Sequence, residues 1–204
     1  MTKGLKRAAK PLYDAIGDNQ TRTAAGSVPS AVSGPVTVEE MGTDAMRRTR
    51  FTLTDLPISV VSVTTGNGVG GTQIYDFPEG YIQRMGCVAN LSVSIATASQ
   101  ADFTDATPEG DMGVGTVAPA NADALGTDAT DDDFATATAF VMSAYADSAV
   151  DLPSEAAALV DGSATAVNLF VNFLVDAADI DDDATTEVLV SGTIDVVWSL
   201  IGDV

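Results

Sequence analysis

Alternation of apolar and polar side chains over three long segments constrains the fold more than any other feature of this chain. The segments are 84–97, 165–175 and 187–200. In the last one the apolar set is Val188, Val190, Ile194, Val196, Trp198 and Leu200, and the polar set is Ser191, Thr193, Asp195 and Ser199. Successive side chains of a strand point to opposite faces, so each segment indicates a strand with one buried face. Three such segments favour antiparallel β structure.

Weaker strand signals lie between these segments. They cover 51–63, interrupted by Pro57 and a register change at Val60 and Val61, and 73–77, 112–117 and 136–144. Seven or eight strands suit two packed sheets, so we expect an all-β protein, an antiparallel β-sandwich or jelly-roll-like domain. A short helix is expected at 154–159, because Ser154 could cap it and Glu155 would favour its positive end.

The N-terminal quarter differs in composition from the rest. Residues 3–16 are basic and could form a short helix, whereas 18–42 are mainly Thr, Ala, Ser, Gly and Pro. We expect residues 1–48 to be an extended N-terminal arm with a short basic segment, and residues 49–204 to be the β-sandwich domain. A disordered tail is an equal alternative for the first segment.

Charge is distributed unevenly along the chain. All nine Lys and Arg lie between Lys3 and Arg84 together with eight acidic residues, while residues 85–204 carry the other 21 acids and no base. Phosphate binding needs cations, so a nucleic acid partner is not expected, and the same negative charge disfavours binding to an anionic membrane.

No secretion or membrane signal is apparent. The N-terminus lacks an apolar run of signal-peptide length, and no window approaches the roughly 20 apolar residues of a membrane span. A single cysteine, Cys87, cannot form a disulfide within the chain. We therefore expect a soluble protein made in the cytoplasm.

The residues that carry common catalytic mechanisms are missing. The chain has no histidine, which excludes a Ser-His-Asp or Cys-His arrangement. Cys87 falls on the apolar set of a strand, which favours a buried structural thiol over a nucleophile. Gly66, Gly68 and Gly71 fit a dinucleotide-binding spacing, but a strand follows them where a helix is needed, so a hairpin loop over 66–72 is the better interpretation. We expect a protein that is not an enzyme.

Two aspartate clusters are the remaining candidates for chemistry. They comprise Asp128, Asp131, Asp132 and Asp133, and Asp176, Asp179, Asp181, Asp182 and Asp183. Closely spaced carboxylates can bind Ca²⁺, and Asp179, Asp181 and Asp183 are the predicted ligand set. Neither cluster matches an EF-hand loop, and solvated loop acids are the favoured alternative.

Several stretches of the chain resemble virion structural proteins of tailed phages that infect marine bacteria. The resemblance is carried by LPISVVSVTTGNGVGGTQIYDFPEGYI, ATPEGDMGVGTVAPANADALGTDATDDDF, LVDAADIDDD and VSGTIDVVWSL. It covers about three quarters of the chain, leaves out most of residues 1–48, and transfers no catalytic residues. It implies a capsid decoration or cement protein that binds the major capsid protein, a class that is often β-rich and trimeric with an extended terminus. We therefore expect this chain to form a homo-oligomer, a trimer.

If the chain is a cement protein, we expect the arm to bind the partner. Its basic and apolar side chains would contact the partner through Lys3, Leu5, Lys6, Arg7, Lys10, Leu12, Tyr13 and Ile16. The alternatives are another virion component, such as a tail, head-fibre or shell subunit, a Ca²⁺-dependent adhesin or binding module, and a soluble halophile protein.

Overall fold

Nearly all regular structure in the described part of the chain is antiparallel β-sheet. The computed structural model describes residues 21–22, 24–43, 45–62, 66–104, 106–120, 124–126, 130–145, 148–182 and 184–202. Within these ranges there are eleven strands and two short 3-10 helices. The prediction of an all-β antiparallel fold is confirmed, whereas a two-sheet sandwich or jelly roll is not confirmed.

The strands vary from two to eighteen residues in length. They are β1 (Thr21–Arg22), β2 (Val36–Thr43), β3 (Met46–Val61), β4 (Gly68–Asp76), β5 (Gly80–Ile95), β6 (Glu109–Gly115), β7 (Ala135–Val141), β8 (Ser148–Leu152), β9 (Ala158–Gly162), β10 (Asn168–Val175) and β11 (Thr185–Gly202). The 3-10 helices are Ser30–Val32 and Thr97–Asp102. Seven strands were predicted, and the four that were missed are β1, β2, β8 and β9.

The pairing path describes one sheet that nearly closes into a barrel. The strand order is β7-β6-β10-β4-β3-β11-β5-β8, with β2 paired to β3, β1 to β2 and β9 to β5. The two ends of this path meet through an Ala135–Ser154 bridge. Beside it, the Thr136 N–H donates to the Pro153 carbonyl at 3.0 Å, and the Glu155 N–H donates to the Phe134 carbonyl at 3.3 Å.

The three long alternating segments are strands in the wall of this barrel. They coincide with β5, β10 and β11, and the predicted apolar sets point inward, except that Met85 of β5 is exposed. Trp198 is fully buried, as its place in the apolar set predicts, and its Nε1 donates to Thr49 Oγ1 at 2.8 Å. Phe77 packs edge-on against Trp198 with ring centroids 5.1 Å apart. The interior is thus filled by side chains.

The long strand β3 changes register at Asp55. Thr54 and Asp55 are both exposed, Asp55 has a φ of 49°, and the facing strand has an irregularity between Val190 and Gly192. The Asp55 N–H donates to Ser191 Oγ at 2.9 Å, which holds this bulge. The predicted register change at Val60 and Val61 is therefore wrong, because alternation simply continues there.

Pro57 does not interrupt β3. It pairs with Leu189 of β11, and the other side of β3 has no ladder partner at this level, since β2 pairs only as far as Leu53 and β4 only at Val61.

The glycine-rich segment after residue 66 is mainly a strand. Gly68 begins β4, so the predicted hairpin loop over 66–72 is wrong for most of its length. A Cβ on Gly70 would lie 2.1 Å from the Ser59 carbonyl oxygen, so glycine allows β4 to approach β3 closely.

The predicted helix at 154–159 is absent from the described structure, and a strand begins at Ala158. Ser154 Oγ accepts a hydrogen bond from the Cys87 N–H at 2.9 Å. Thr136 Oγ1 donates to Glu155 Oε1. Both predicted capping residues thus connect strands, and tertiary contacts override the local helical signal.

The described part of the predicted arm packs on the barrel. Strand β2 pairs with β3 from Val36 to Thr43, and Val32 and Val36 join the buried core. Residues 1–20 lie outside the described residues, so the division into an arm of residues 1–48 and a domain of residues 49–204 stays a prediction.

Candidate functional site

The predicted partner-binding residues cannot be placed in the structure. Lys3, Leu5, Lys6, Arg7, Lys10, Leu12, Tyr13 and Ile16 all fall within residues 1–20, outside the described residues. The candidate site is therefore built from the acidic loops, the buried polar groups and the outer surface of the barrel.

The carboxylates of the first aspartate cluster accept hydrogen bonds from nearby backbone amides. Asp131 Oδ1 accepts from the Gly126 N–H at 2.9 Å, and Asp132 Oδ2 accepts from the Ala137 N–H at 3.0 Å. Asp133 accepts from the Thr116 N–H at 2.8 Å. Burial raises the pKa of Asp133, although the Thr116 hydrogen bond and Arg84 oppose this rise. Asp128 of the same cluster lies outside the described residues. The three described carboxylates thus act as acceptors for backbone amides.

Asn172 on β10 holds the same loop against the outside of the sheet through two hydrogen bonds. Its Nδ2 donates to the carbonyl oxygens of Val117 at 2.8 Å and Asp131 at 2.6 Å. The sequence pattern placed Asn172 on the polar face of its strand, and the structure buries it completely because the loop covers that face. Its role could not be read from alternation alone.

The second aspartate cluster forms the turn after β10. Asp179 Oδ2 accepts from the Glu109 N–H at 2.8 Å, and the Asp181 N–H donates to the Asp102 carbonyl at 2.9 Å. Among the residues that the structure describes, no three His, Cys, Asp or Glu side chains form a group that could hold a metal ion. Asp183 lies outside them, so the Ca²⁺ prediction for Asp179, Asp181 and Asp183 stays a prediction.

Cys87 is buried, as its place in the apolar set of β5 predicts. Its exposed fraction is 1%, and burial raises the pKa of its thiol to about 12. The thiolate needed for nucleophilic attack is therefore scarce at neutral pH.

Arg84 is a cation inside the barrel. Its guanidinium lies over the Phe134 ring, 5.2 Å from the centroid, and its Nη2 donates to the Ala156 carbonyl at 2.6 Å. It occupies an inward position of β5, where the alternation predicted a polar outward residue. The irregularity between Val197 and Trp198 on β11, which sets Gly86 and Arg84 opposite consecutive residues, leaves Met85 as the extra residue of a bulge and accounts for this reversal.

A second, largely buried cation forms an ion pair at the same end of the barrel. Arg47 bonds to Glu40, which is fully buried, and lies over the Trp198 ring at 5.4 Å from its centroid. The other Glu40 oxygen accepts from the Ala25 N–H at 3.1 Å. This pair connects β2 and the segment before it to β3 and β11.

The outer surface of the same strands carries an exposed ionic network. Asp195 on β11 accepts from Arg48 Nε at 3.0 Å and from Arg50 Nη2 at 2.8 Å. Burial opposes the ionisation of Asp195, but the two arginines outweigh it and hold its pKa below the ordinary range. Glu39 pairs across the strands with Arg50. Two acids and two bases therefore balance on this surface.

Exposed apolar side chains surround that network. We define the apolar face as Met46, Met85, Val88, Leu159 and Ile201, which are between 37% and 58% exposed. They project from β3, β5, β9 and β11, which are neighbours in the sheet. Half-buried Val197 lies among them. An apolar surface shared by adjacent strands is typical of a protein interaction site.

A groove opens beside Val88, near the two ends of the strand path. Residues of β5, β7 and β8 line it, with Leu152 at the buried floor, and its volume is about 590 Å³. Asp151 is the titratable residue among its lining residues. This composition favours contact with a surface over chemistry on a small molecule.

The comparisons with known proteins give no family assignment. No family model matches the chain, and no curated protein or solved structure matches it. No helix in the described part of the chain is long and apolar enough to cross a membrane.

Sequence reasoning missed the apolar face. The available signal was the exceptions to alternation, since Val88 and Val197 occupy polar positions of their strands. Leu159 could not be found in this way, because its strand was predicted as a helix.

Proposed function

We propose that the chain is a non-enzymatic virion structural protein, a capsid decoration or cement protein that binds and stabilises the major capsid protein lattice. The observation that carries the proposal is the apolar face on a barrel whose interior is filled. The resemblance of the sequence to virion proteins of marine tailed phages supplies the biological setting. In this setting the protein would reside in the virion.

The absence of an obvious reaction centre supports a binding function. The chain has no histidine, its one thiol is buried, and the described aspartates of the first cluster are engaged with backbone amides. Because these groups bond within the barrel, the function has to be sought on its outer surface, where partners could bind. Whether the barrel is classed with sandwiches or jelly rolls stays a prediction, and the proposal does not depend on it.

The arm would supply the second attachment. Lys3, Lys6, Arg7 and Lys10 would meet acidic groups of the shell, and the apolar residues between and after them would bury surface. Because β1 begins at Thr21, a truncation that removes the predicted contact residues of the arm should end at residue 20 and keep β2 in the sheet.

Particle composition and particle binding test the proposal. We expect mass spectrometry of purified virions to detect the chain at high copy number, and purified protein to co-sediment with particles that lack it. A full-length variant with Lys3, Lys6, Arg7 and Lys10 changed to Gln should bind more weakly, with less dependence on salt. Absence of the chain from virions would rule out this function. Abundance in tails alone would favour another virion component, and Ca²⁺-dependent binding to cells would favour an adhesin.

A further inference from the structure

We propose that the apolar face binds a second copy of this chain. The inference deepens the proposed function, on which its biological purpose rests, because it names the surface through which the expected homo-oligomer assembles. It concerns purified protein in the absence of particles, so it can be tested apart from capsid binding.

Strand register places the five side chains of the apolar face on the outside of neighbouring strands, with Val88 opposite Asp195. Leu159 on β9 lies opposite Gln83 of β5, two residues from Met85. Ile201 lies between Leu200, which pairs with Ile82, and Gly202, which pairs with Tyr81. Met46 precedes Arg47, which pairs with Trp198 on β11. β11 is thus flanked by apolar side chains from both neighbouring strands.

Electrostatics makes this surface different from the rest of the molecule. Residues 85–204 carry 21 acids and no base, so most approaches of one copy to another bring negative charges together. On the apolar face, Arg48 and Arg50 offset Asp195 and Glu39. Asp161, opposite Tyr81, stands at its border.

The distribution of charge indicates which partner binds the apolar face. A cationic partner would gain most from the acidic loops, since like charges there are unopposed. The acidic barrel of a second copy is repelled by those loops and meets least repulsion where arginine and carboxylate alternate. In a symmetric assembly the same residues recur on each side, so an Arg48 of one copy can approach a carboxylate of another. The observations therefore favour self-association through this face.

Matched substitutions test the inference. Val88→Asp, Leu159→Asp and Ile201→Asp change residues of the apolar face that are 55–58% exposed, while Val141→Asp changes a residue on β7 that is 57% exposed. All four sites are exposed, so folding should survive, as a melting curve can verify. Light scattering and sedimentation velocity over a series of concentrations then report the mass relative to the 20.8 kDa chain.

We expect wild-type protein and Val141→Asp to form the same closed oligomer, and each face variant to raise its dissociation constant by about tenfold or more. A trimer would agree with the proposed function, whereas a dimer would support the face and contradict the trimer. Monomeric wild-type protein at all concentrations would overturn the inference, and so would equal weakening by Val141→Asp. If the wild-type chain is monomeric and only the face variants lose particle binding, the face contacts another protein and the self-association is wrong.

Discussion

The two halves of the barrel hold their buried and half-buried carboxylates in different ways. Around β2, β3 and β11, guanidinium groups pair with Glu40 and Asp195. Around β6, β7 and β10, backbone amides donate to Asp131, Asp132 and Asp133. The sequence explains the contrast, because every base precedes residue 85. Where no guanidinium pairs with the acids, their hydrogen bonds come from the backbone amides of the loops.

This difference has consequences for stability. A carboxylate paired with arginine leaves an uncompensated cation when it is removed. A carboxylate that accepts from backbone amides leaves unsatisfied N–H groups and a loosened loop when it is removed. The first kind of change should act on the whole barrel, and the second kind should act locally.

The largest effect is expected from breaking the buried pair. Glu40→Gln should lower the free energy of unfolding by about 3 kcal/mol, since Arg47 would remain largely buried beside a neutral group. Urea unfolding measures this change. Glu39→Gln, on the outer side of the same strand, is the control and should cost less than about 1 kcal/mol.

A second substitution separates charge from packing. Adding Arg47→Met to Glu40→Gln should recover part of the lost stability, because the uncompensated cation is removed. If Glu40→Gln alone cost no more than Glu39→Gln, the buried ion pair would not hold this half together.

The next effect concerns the loop that covers β10. Asn172→Ala should cost about 2 kcal/mol, since the carbonyl oxygens of Val117 and Asp131 lose their donor. Hydrogen exchange should accelerate in residues 116–120 and 130–134 while the β3–β11 pairing stays protected. Asn168→Ala, on the same face of the same strand, is the control. Uniform acceleration across the sheet would contradict a local role for Asn172.

Sequence pattern predicted the parts of this fold that depend on burial. Alternation identified β5, β10 and β11 and the inward place of Trp198, because one buried face imposes a two-residue period. The pattern failed at β9, because Ser154 and Glu155, which precede this strand, satisfy helix-capping preferences but bond to other strands. It also missed β2, whose segment contains Glu39 and Glu40 and buries one of them only because Arg47 is present.

The candidate site was harder to predict for the same reason. Val88 and Val197 could be noticed as apolar residues in polar positions, but their place on the same side of the sheet as Leu159 and Ile201 depends on which strands pair. The Asp residues attracted attention as possible metal ligands, whereas hydrogen bonds to backbone amides depend on loop geometry that composition does not specify.

The smallest effect, and the most direct comparison of the two kinds of carboxylate, is the pH dependence of stability. Asp195 has a lowered pKa in the folded protein, so its ionised form stabilises the fold above its unfolded pKa, and that contribution is lost as pH falls through the lower folded value. Asp133 has a raised pKa, so its ionised form costs stability above the folded value, and the cost is relieved as pH falls toward the unfolded pKa of about 3.9.

Asp195→Asn should therefore cost less than about 1 kcal/mol near neutral pH, with the deficit disappearing below pH about 3.9. Asp133→Asn should gain stability relative to wild type as pH rises above about 3.9. Urea unfolding of both variants from acidic to neutral pH should show slopes of opposite sign in these separate windows, with the Asp195 effect weakened more strongly by added salt. Equal slopes for the two variants would mean that arginine pairing and amide donation hold these carboxylates in the same way.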